Sequence, residues 1–259
     1  MTDPVETAIV TGATQGIGKD IALALLRQGC RVIAVGRSQA GLDDLLAAAG
    51  ADRSRLVPAA LDIGDAAGFG DHLGRWLADF GGIDFLVNAA GILDPGPLLQ
   101  AEPASIRRVI ATNLTATLEL TLPVARHMAG RRRGSIVTIG SNSGTTARIG
   151  LGVYPASKAG IIHAMKCLGL ELAGYGVRCN IVSPGSTNTE MQRRYQTAAT
   201  SREAMLKGDP GTFRLGIPLG RMAEPGDVTD LVLFLLSDRA RHITMENIVI
   251  DGGATMGAR

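Results

Sequence analysis

The chain has 259 residues, of which 46% are hydrophobic, and its 26 basic and 24 acidic side chains give a formal charge of +2. This composition allows a large buried core and excludes the concentrated basic surface that nucleic-acid binding requires. The one basic run, Arg131–Arg133, is short and lies in an expected loop, so we predict a solvated turn there.

Three cysteines, Cys30, Cys167 and Cys179, are widely spaced in apolar segments. This usage predicts buried thiols in a reducing compartment, and the lack of CxxC or Cys/His spacing predicts no metal site. The stretch Met1–Thr7 has neither the basic leader nor the apolar core of a signal peptide, and no apolar run reaches about 18 residues. We therefore expect a soluble, cytoplasmic protein with no nucleic-acid or membrane partner.

Short β-branched runs alternate with longer runs of helical period. The strand candidates are Thr7–Val10, Arg31–Val35, Arg55–Leu61, Phe85–Asn88, Ser135–Ile139, Arg178–Val182 and Asn247–Ile250. The helix candidates are Gly18–Gln28, Ala40–Ala48, Ala66–Phe80, Ala104–His127, Ala156–Ala173 and Val228–Ser237. This alternation predicts an α/β fold of the Rossmann type, a doubly wound parallel sheet of seven strands with helices on both faces. No linker or repeat divides the chain, so residues 1–259 are expected to form a single domain.

The polar segment 186–214 follows the sixth strand candidate and has no clear role in the sheet. Loops this long in compact domains are usually functional or disordered, and ligands of open α/β sheets bind outside the carboxyl ends of the strands. We predict that this segment is a substrate lid, with an ordinary surface excursion as the alternative.

A glycine-rich turn, TGATQGIG over residues 11–18, joins the first strand candidate to the first helix. Glycines let the backbone approach a pyrophosphate, and the N–H groups and dipole of a helix N-terminus favour an anion. At the first β–α junction of an alternating chain, this turn predicts a dinucleotide site. Its predicted cofactor contacts are Gly12, Thr14, Gln15, Gly16, Ile17 and Gly18.

The second strand candidate is followed by Gly36, Arg37 and Ser38. Folds that select NAD usually place a carboxylate here against the ribose 2′-hydroxyl, and this chain has none. Arg37 and Ser38 can instead pair with a 2′-phosphate, so the sequence favours NADP over NAD. If Arg37 only faces solvent, NAD remains the alternative.

The ends of the third and fourth strand candidates also carry residues suited to the cofactor. Asp62 can accept a hydrogen bond from the adenine amino group, and Ile63 lies next to it. After the fourth strand, small residues let a cofactor lie against the backbone. These predicted contacts are Asn88, Ala89, Ala90 and Gly91.

Tyr154 and Lys158 are four residues apart, on one face of an expected helix. A free phenol has a pKa of about 10, and a nearby ammonium favours the phenolate, which brings tyrosine into range for acid/base catalysis. Ser141, thirteen residues before Tyr154, can hold a substrate oxygen beside it. Asn113 can kink the long fourth helix or bind a water that relays protons to Lys158. Ser143 is the nearest competitor to Ser141, and a loop-supporting role suits it better.

With the glycine-rich turn and the NAAG run at residues 88–91, this combination resembles the short-chain dehydrogenase/reductase family over essentially the whole chain. The resemblance implies a nicotinamide-dependent oxidoreductase, commonly a homotetramer. It also implies that Asn113, Ser141, Tyr154 and Lys158 form a catalytic tetrad. The run SPGST at residues 183–187 resembles the segment that seats the nicotinamide. The residues implied there are Pro184, Gly185, Thr187 and Thr189.

Several stretches, including GVRCNIVSPGSTNTEMQ at residues 176–192 and LGIPLG at residues 215–220, resemble one branch of this family more closely. That branch oxidises a ring alcohol of a cyclohexadiene carboxylate to a ketone, which tautomerises to 2,3-dihydroxybenzoate for siderophore biosynthesis. Arg148 lies between Ser141 and Tyr154, so a guanidinium there can grip the substrate carboxylate with two hydrogen bonds. Met191 and Gln192 are further predicted substrate contacts. A surface arginine is the alternative for Arg148.

Other functions remain open from the sequence. A relative acting on trans-2,3-dihydro-3-hydroxyanthranilate needs almost the same site. A 3-oxoacyl carrier-protein reductase needs a basic surface beyond Arg131–Arg133 and Arg193–Arg194. A cofactor-sensing binding protein would keep the fold and lose the chemistry, and an intact set of serine, tyrosine and lysine argues against it. Gly36 and Arg37, and the loop Asp94-Pro95-Gly96, depart from the branch that the sequence most resembles.

Overall fold

The computed structural model describes residues 5–194 and 201–257, and the seven strands of this part of the chain form one sheet. Every neighbouring pair is parallel, and the spatial order is β3-β2-β1-β4-β5-β6-β7. The predicted fold class is therefore confirmed. The strands are β1 Thr7–Thr11, β2 Arg31–Gly36, β3 Leu56–Ala60, β4 Phe85–Asn88, β5 Ser135–Ile139, β6 Arg178–Pro184 and β7 Asn247–Ile250.

The helices cover both faces of the sheet because side chains of a strand alternate between faces. In β1, Ile9 packs into the cluster under α3, α5 and α6, whereas Ala8 and Val10 pack into the cluster under α1, α2 and α9. The helices are α1 Gly16–Arg27, α2 Gln39–Ala48, α3 Ala66–Phe80, α4 Pro103–Ile110, α5 Thr117–Arg131, α6 Tyr154–Ala173, α7 Glu190–Arg194, α8 Arg202–Lys207 and α9 Pro225–Leu236.

The predicted single helix Ala104–His127 is wrong in its interior. A π-helical segment, Ala111–Ala116, separates α4 from α5, and α5 continues to Arg131. Asn113 lies in this segment, where its amide bonds to the loop after β4 rather than facing along the helix. A π-helical turn adds one residue to a helix and barely changes its hydrophobic periodicity, so the sequence pattern did not predict this segment.

The segment 186–214 contains more regular structure than its polar sequence indicated. It includes α7, α8 and a 3₁₀ turn at Pro210–Thr212, while residues 195–200 of the predicted lid lie outside the described residues. Asp209 and Arg214 pair through two backbone hydrogen bonds of 2.9 and 3.0 Å, which close a tight turn after α8. The lid function of this segment stays a prediction.

Two smaller predictions need correction. Cys167 is exposed, whereas Cys30 and Cys179 are buried as expected. The basic run is not simply a solvated turn, because Arg131 and Arg133 both pair with the buried Asp84, at 3.2 and 3.3 Å. Among the described helices, none is long and apolar enough to cross a bilayer.

Candidate active site

A cleft of about 420 Å³ opens at the carboxyl ends of the strands, beside β1, which lies between β2 and β4 in the sheet. The strand order reverses at this point, because β2 and β3 lie on one side of β1 and β4 to β7 lie on the other. Ligands of open α/β sheets bind at such a reversal of strand order. The structure brings most of the sequence-predicted residues to its walls. These are Gly12, Thr14, Gln15, Gly16, Ile17, Gly18, Arg37, Ser38, Asp62, Ile63, Ala89, Ala90, Gly91, Ser141, Arg148, Tyr154, Lys158, Pro184, Gly185, Thr187, Thr189, Met191 and Gln192.

The glycine-rich turn leaves the start of α1 open to an anion. Gln15 is the N-cap residue, and no side chain caps the first N–H groups of the helix. Gly12 has a φ of 68°, and a Cβ atom there would lie 2.8 Å from the backbone of Ala90. Only glycine permits this close approach, which keeps the turn flat against the end of β4. The uncapped N–H groups and the helix dipole therefore form a site that fits a pyrophosphate.

At the far end of this wall, Arg37 and Asp62 face each other across the ends of β2 and β3. Their closest charged atoms are 3.9 Å apart, and their side chains are 69% and 57% exposed. Asp62 also accepts a hydrogen bond of 2.9 Å from the N–H of Gly64, and Ser38 accepts one of 3.1 Å from Gly41 at the start of α2. A pair this exposed holds Arg37 only weakly, so its guanidinium can turn toward a ligand.

Ser141, Tyr154 and Lys158 meet at the other end of the cleft. Ser141 follows β5 and is buried, with its Oγ 2.9 Å from Oγ of Ser143, so the two hydroxyls are within hydrogen-bond distance. Tyr154 begins α6, and the Nζ of Lys158 lies 5.7 Å from the centre of its ring. The buried Lys158 Nζ donates a 2.7 Å hydrogen bond to the carbonyl of Ile139, which fixes its position.

Burial dominates the titration of this group. It raises the pKa of Tyr154 to about 12, and the hydrogen bond with Ser141 partly opposes the shift. Burial also lowers the pKa of Lys158 to about 8. The expected ammonium effect on the phenol is thus not the leading one, because the same burial disfavours both charged forms. A positive charge or hydrogen-bond donor arriving in the cleft shifts the tyrosine toward the phenolate.

Asn113 stands behind this group rather than in the cleft wall. Its Oδ1 accepts a 2.8 Å hydrogen bond from the N–H of Ile92, and its Nδ2 donates to the Ile92 carbonyl at 2.9 Å and to Ser157 Oγ at 3.0 Å. A Cβ atom on Gly91 would lie 3.4 Å from Asn113 Oδ1 and 3.6 Å from Lys158 Nζ. Asn113 therefore ties the loop after β4 to α6.

Arg148 lines the cleft on the loop between Ser141 and Tyr154. Its Nη2 donates a 3.2 Å hydrogen bond to the carbonyl of Ala254, and no carboxylate in the described ranges 5–194 and 201–257 lies within ion-pair distance of it. The loop itself is joined to the loop after β4, since Gly96 donates to Gly150 and accepts from Gly152 at 3.0 and 2.8 Å. The guanidinium is thus held by a hydrogen bond and has no carboxylate of the described residues in direct contact, although the charge of Asp251 acts on it from a longer distance.

Comparison with known proteins identifies the relatives of this chain. Residues 6–200 match the family model for short chain dehydrogenases. The 2,3-dihydro-2,3-dihydroxybenzoate dehydrogenase of Bacillus subtilis (strain 168) is 41% identical, and that of Escherichia coli (strain K12) is 40% identical, each over 96% of this chain and 96% of the relative. The chain belongs to the short-chain dehydrogenase family. A structure of ElxO with NADP bound superimposes with a TM-score of 0.89 at 25% identity, covering 97% of this chain and 99% of that one.

As a short-chain dehydrogenase, the protein is an NAD(P)-dependent oxidoreductase. The cleft fits such a cofactor at two points that the structure shows directly. The uncapped start of α1 suits the pyrophosphate, and the glycine approach to Ala90 leaves no side chain in its path. The residues that would hold the two ends of the cofactor are Arg37, Ser38 and Asp62 at the adenosine and Pro184, Gly185, Thr187 and Thr189 at the nicotinamide.

Some residues of this dehydrogenase differ from the sequence prediction. Asn88 does not line the cleft, because its Nδ2 donates to Thr121 and Thr138 at 2.8 and 3.0 Å inside the protein. Sequence reasoning missed Asn142 and Arg214, which do line it. Asn142 is a polar residue that closely follows β5, and this position could have predicted a place in the cleft. Arg214 has no motif, and only the fold brings it to the cleft.

Proposed function

We propose that this short-chain dehydrogenase oxidises a ring alcohol of a cyclohexadiene carboxylate, with 2,3-dihydro-2,3-dihydroxybenzoate as its substrate and 2,3-dihydroxybenzoate for siderophore biosynthesis as its product. One observation supports it above others: Arg148, with no carboxylate partner among the described residues, lines the same cleft as Tyr154. A guanidinium in a partly enclosed site favours a carboxylate ligand. The names of the two dehydrogenases that are 41% and 40% identical agree with this choice.

Each residue of the site has a role in the proposed oxidation. Ser141 donates a hydrogen bond to the substrate oxygen and holds it next to Tyr154. Tyr154, as the phenolate, takes the hydroxyl proton, and the electron pair of that O–H bond forms the carbonyl while the carbinol hydrogen leaves as a hydride with the C–H electron pair. When bound, the oxidised nicotinamide supplies the hydride acceptor and a positive charge that favours the phenolate. The ketone then loses a ring proton to solvent and gains one on oxygen, which yields the aromatic acid.

Lys158 and Asn113 support this chemistry from behind. Lys158 is held against the Ile139 carbonyl close to the tyrosine ring, so its ammonium acts on the phenol from a fixed position. Asn113 holds the loop at Ile92 against α6 through its hydrogen bonds to Ile92 and Ser157. We further propose that NADP is the preferred cofactor, because Arg37 is exposed and only weakly paired at the end of β2.

Assays of the purified protein test this proposal. We expect reduced cofactor to form with 2,3-dihydro-2,3-dihydroxybenzoate at a kcat/KM well above that for trans-2,3-dihydro-3-hydroxyanthranilate, and more efficiently with NADP than with NAD. If the protein oxidises only trans-2,3-dihydro-3-hydroxyanthranilate, that compound is the substrate and the proposed one is wrong. Reduction of a 3-oxoacyl thioester, with neither acid oxidised, would contradict the proposal. The expected homotetramer is checked on the same sample by light scattering.

Arg148→Leu tests the carboxylate contact. We expect KM for the dihydro acid to rise about tenfold or more, since a charge-assisted hydrogen bond to the carboxylate is lost. Activity on an uncharged cyclic alcohol should remain nearly unchanged. Equal losses on both substrates would mean that Arg148 only supports its loop through Ala254.

A further inference from the structure

Arginines dominate the charge of the cleft wall, and they fall into two kinds. Two have a carboxylate within 4 Å: Arg37 lies 3.9 Å from Asp62, and Arg194 lies 3.2 Å from Glu190. The other two, Arg148 and Arg214, make no ion pair with any carboxylate of the described residues, and both line the cleft. The cleft arginines that have no carboxylate of the described residues in direct contact are therefore Arg148 and Arg214.

The backbone of Arg214 is fixed. It exchanges hydrogen bonds of 2.9 and 3.0 Å with Asp209, and a Cβ atom on Gly208 would lie 2.5 Å from its carbonyl oxygen. The carbonyl of Arg214 therefore packs directly against Gly208, the residue that follows α8. Arg214 thus presents its side chain from a defined turn.

The C-terminal turn holds both arginine-bearing segments. Arg148 donates to the carbonyl of Ala254 at 3.2 Å, and Leu219, five residues after Arg214, donates to the carbonyl of Gly252 at 3.1 Å. Two stretches that are distant in sequence therefore bind the same short turn through hydrogen bonds. Because both side chains line the same cleft, one ligand there can contact the two of them.

The two guanidiniums also interact electrostatically. Burial is the main cause that lowers the pKa of Arg148, the charge of Arg214 lowers it further, and Asp251 acts in the opposite direction. Asp251 accepts hydrogen bonds from the uncharged side chains of Asn142 and Thr255, at 3.1 and 2.7 Å, so its charge remains and offsets part of the repulsion between the arginines. Two like charges near each other in a partly buried site are unfavourable, and an anion between them removes the repulsion.

We propose that Arg214 is a specificity-determining residue that binds the substrate carboxylate together with Arg148, so that the site requires an acid for two reasons rather than one. This inference rests on the proposed function and deepens it. It assigns a recognition role to the last residue of segment 186–214, which the sequence predicts to be a substrate lid without singling out Arg214.

Binding of benzoate and benzamide by calorimetry, to the enzyme saturated with oxidised cofactor, tests the inference. The two probes have similar shape, and only benzoate carries the charge. We expect the Arg214→Leu variant to lose about tenfold or more of its affinity for benzoate and to keep its affinity for benzamide. Arg75→Leu is the matched control, because Arg75 is exposed on α3 and does not line the cleft. It should leave both affinities unchanged.

KM for the dihydro acid in the same variants gives a second readout. We expect Arg214→Leu to raise KM far more than it lowers kcat, and Arg214→Lys to restore part of the loss. In the Arg148→Leu and Arg214→Leu double variant, the losses should be less than additive, because both residues bind one carboxylate. Equal loss of affinity for benzoate and benzamide, or the same loss in Arg75→Leu, would overturn the assignment.

The two proposals fail in different ways. If the wild-type protein binds benzoate through Arg214 but oxidises neither dihydro acid, the acid site stands and the proposed substrate is wrong. If it oxidises the dihydro acid and Arg214→Leu keeps both benzoate affinity and KM, the proposed function stands and the role of Arg214 is wrong.

Discussion

The two walls of the cleft are built differently. The cofactor wall consists mainly of backbone and small side chains at the ends of β1 to β4, at residues 12, 14–18, 36–38, 61–63 and 89–91. The substrate wall consists of longer side chains on the connections after β5 and β6, namely Arg148, Leu151, Glu190, Met191, Gln192, Arg194 and Arg214. The shape of the cofactor wall therefore follows from the fold, whereas the shape and charge of the substrate wall depend on individual side chains.

This difference explains why cofactor use is common to a fold while substrates vary. A strand end and a helix N-terminus cannot move without changing the sheet, so the nucleotide site follows from the architecture. A guanidinium on a connection can be replaced without disturbing the sheet. Tyr154 lies where the two walls meet, at the start of α6. Substitutions on the walls and at this junction should separate the two contributions.

The largest effect is expected at the junction. Tyr154→Phe should lower kcat about a hundredfold or more, because the proton transfer is lost, while cofactor affinity stays within about twofold. Steady-state rates and cofactor titration measure the two quantities. Tyr175→Phe is the matched control, because Tyr175 is 48% exposed and does not line the cleft. Retention of a tenth of the wild-type rate would remove Tyr154 from the acid/base role.

The cofactor wall was the more predictable one. Glycines at a β–α junction and small residues after β4 are recognisable in a sequence because the backbone requires them, and residues 12, 14–18 and 89–91 do line the cleft. Asn88 shows the limit, since side chains alternate along a strand and its amide turns inward to Thr121 and Thr138. Arg214 shows the larger gap, because a turn that is closed by backbone bonds to Asp209 has no sequence period.

A second prediction concerns the rigidity of the cofactor wall. A Cβ atom on Gly18 would lie 2.3 Å from the carbonyl oxygen of Gly12, a backbone atom that cannot move independently. Gly18→Ala should therefore lower the free energy of unfolding by about 1–3 kcal/mol and weaken cofactor binding. Gly70→Ala, on the exposed face of α3 with nothing near its Cβ position, should stabilise by about 0.5–1 kcal/mol. Urea unfolding of both variants provides the measurement. If Gly18→Ala leaves the free energy of unfolding unchanged, the turn can rearrange to accept the added methyl group.

The third prediction uses the titration of Lys158. Burial lowers its pKa from 10.5 to about 8, so between these values the unfolded chain binds more protons than the folded one. Folding stability from this group therefore rises with pH across that window, by at most about 1.4 kcal/mol per pH unit. Above about pH 10 the raised pKa of Tyr154 opposes it, because the folded state then holds the extra proton.

Lys158→Met isolates this contribution. We expect the difference in free energy of unfolding, wild type minus variant, to increase from pH 8 to pH 10 in urea titrations. Cys30 and Cys179, whose pKa values are raised by burial, are present in both proteins and cancel in the difference. A difference that does not change with pH would mean that the Lys158 ammonium is solvated in the folded protein.

The smallest effect is expected at the exposed edge of the cofactor wall. Arg37 is 69% exposed, and its partner Asp62 is 3.9 Å away, so little energy holds the pair together. A 2′-phosphate offers Arg37 a stronger, charge-assisted contact than this carboxylate does. Arg37→Ala should then lower kcat/KM for NADP about fivefold to tenfold and change that for NAD less than about twofold. Arg53→Ala, an exposed arginine outside the cleft, controls for the loss of one positive charge. If the wild type prefers NAD and Arg37→Ala changes neither value, Arg37 is a surface residue, and side-chain chemistry selects the ligand only on the substrate wall.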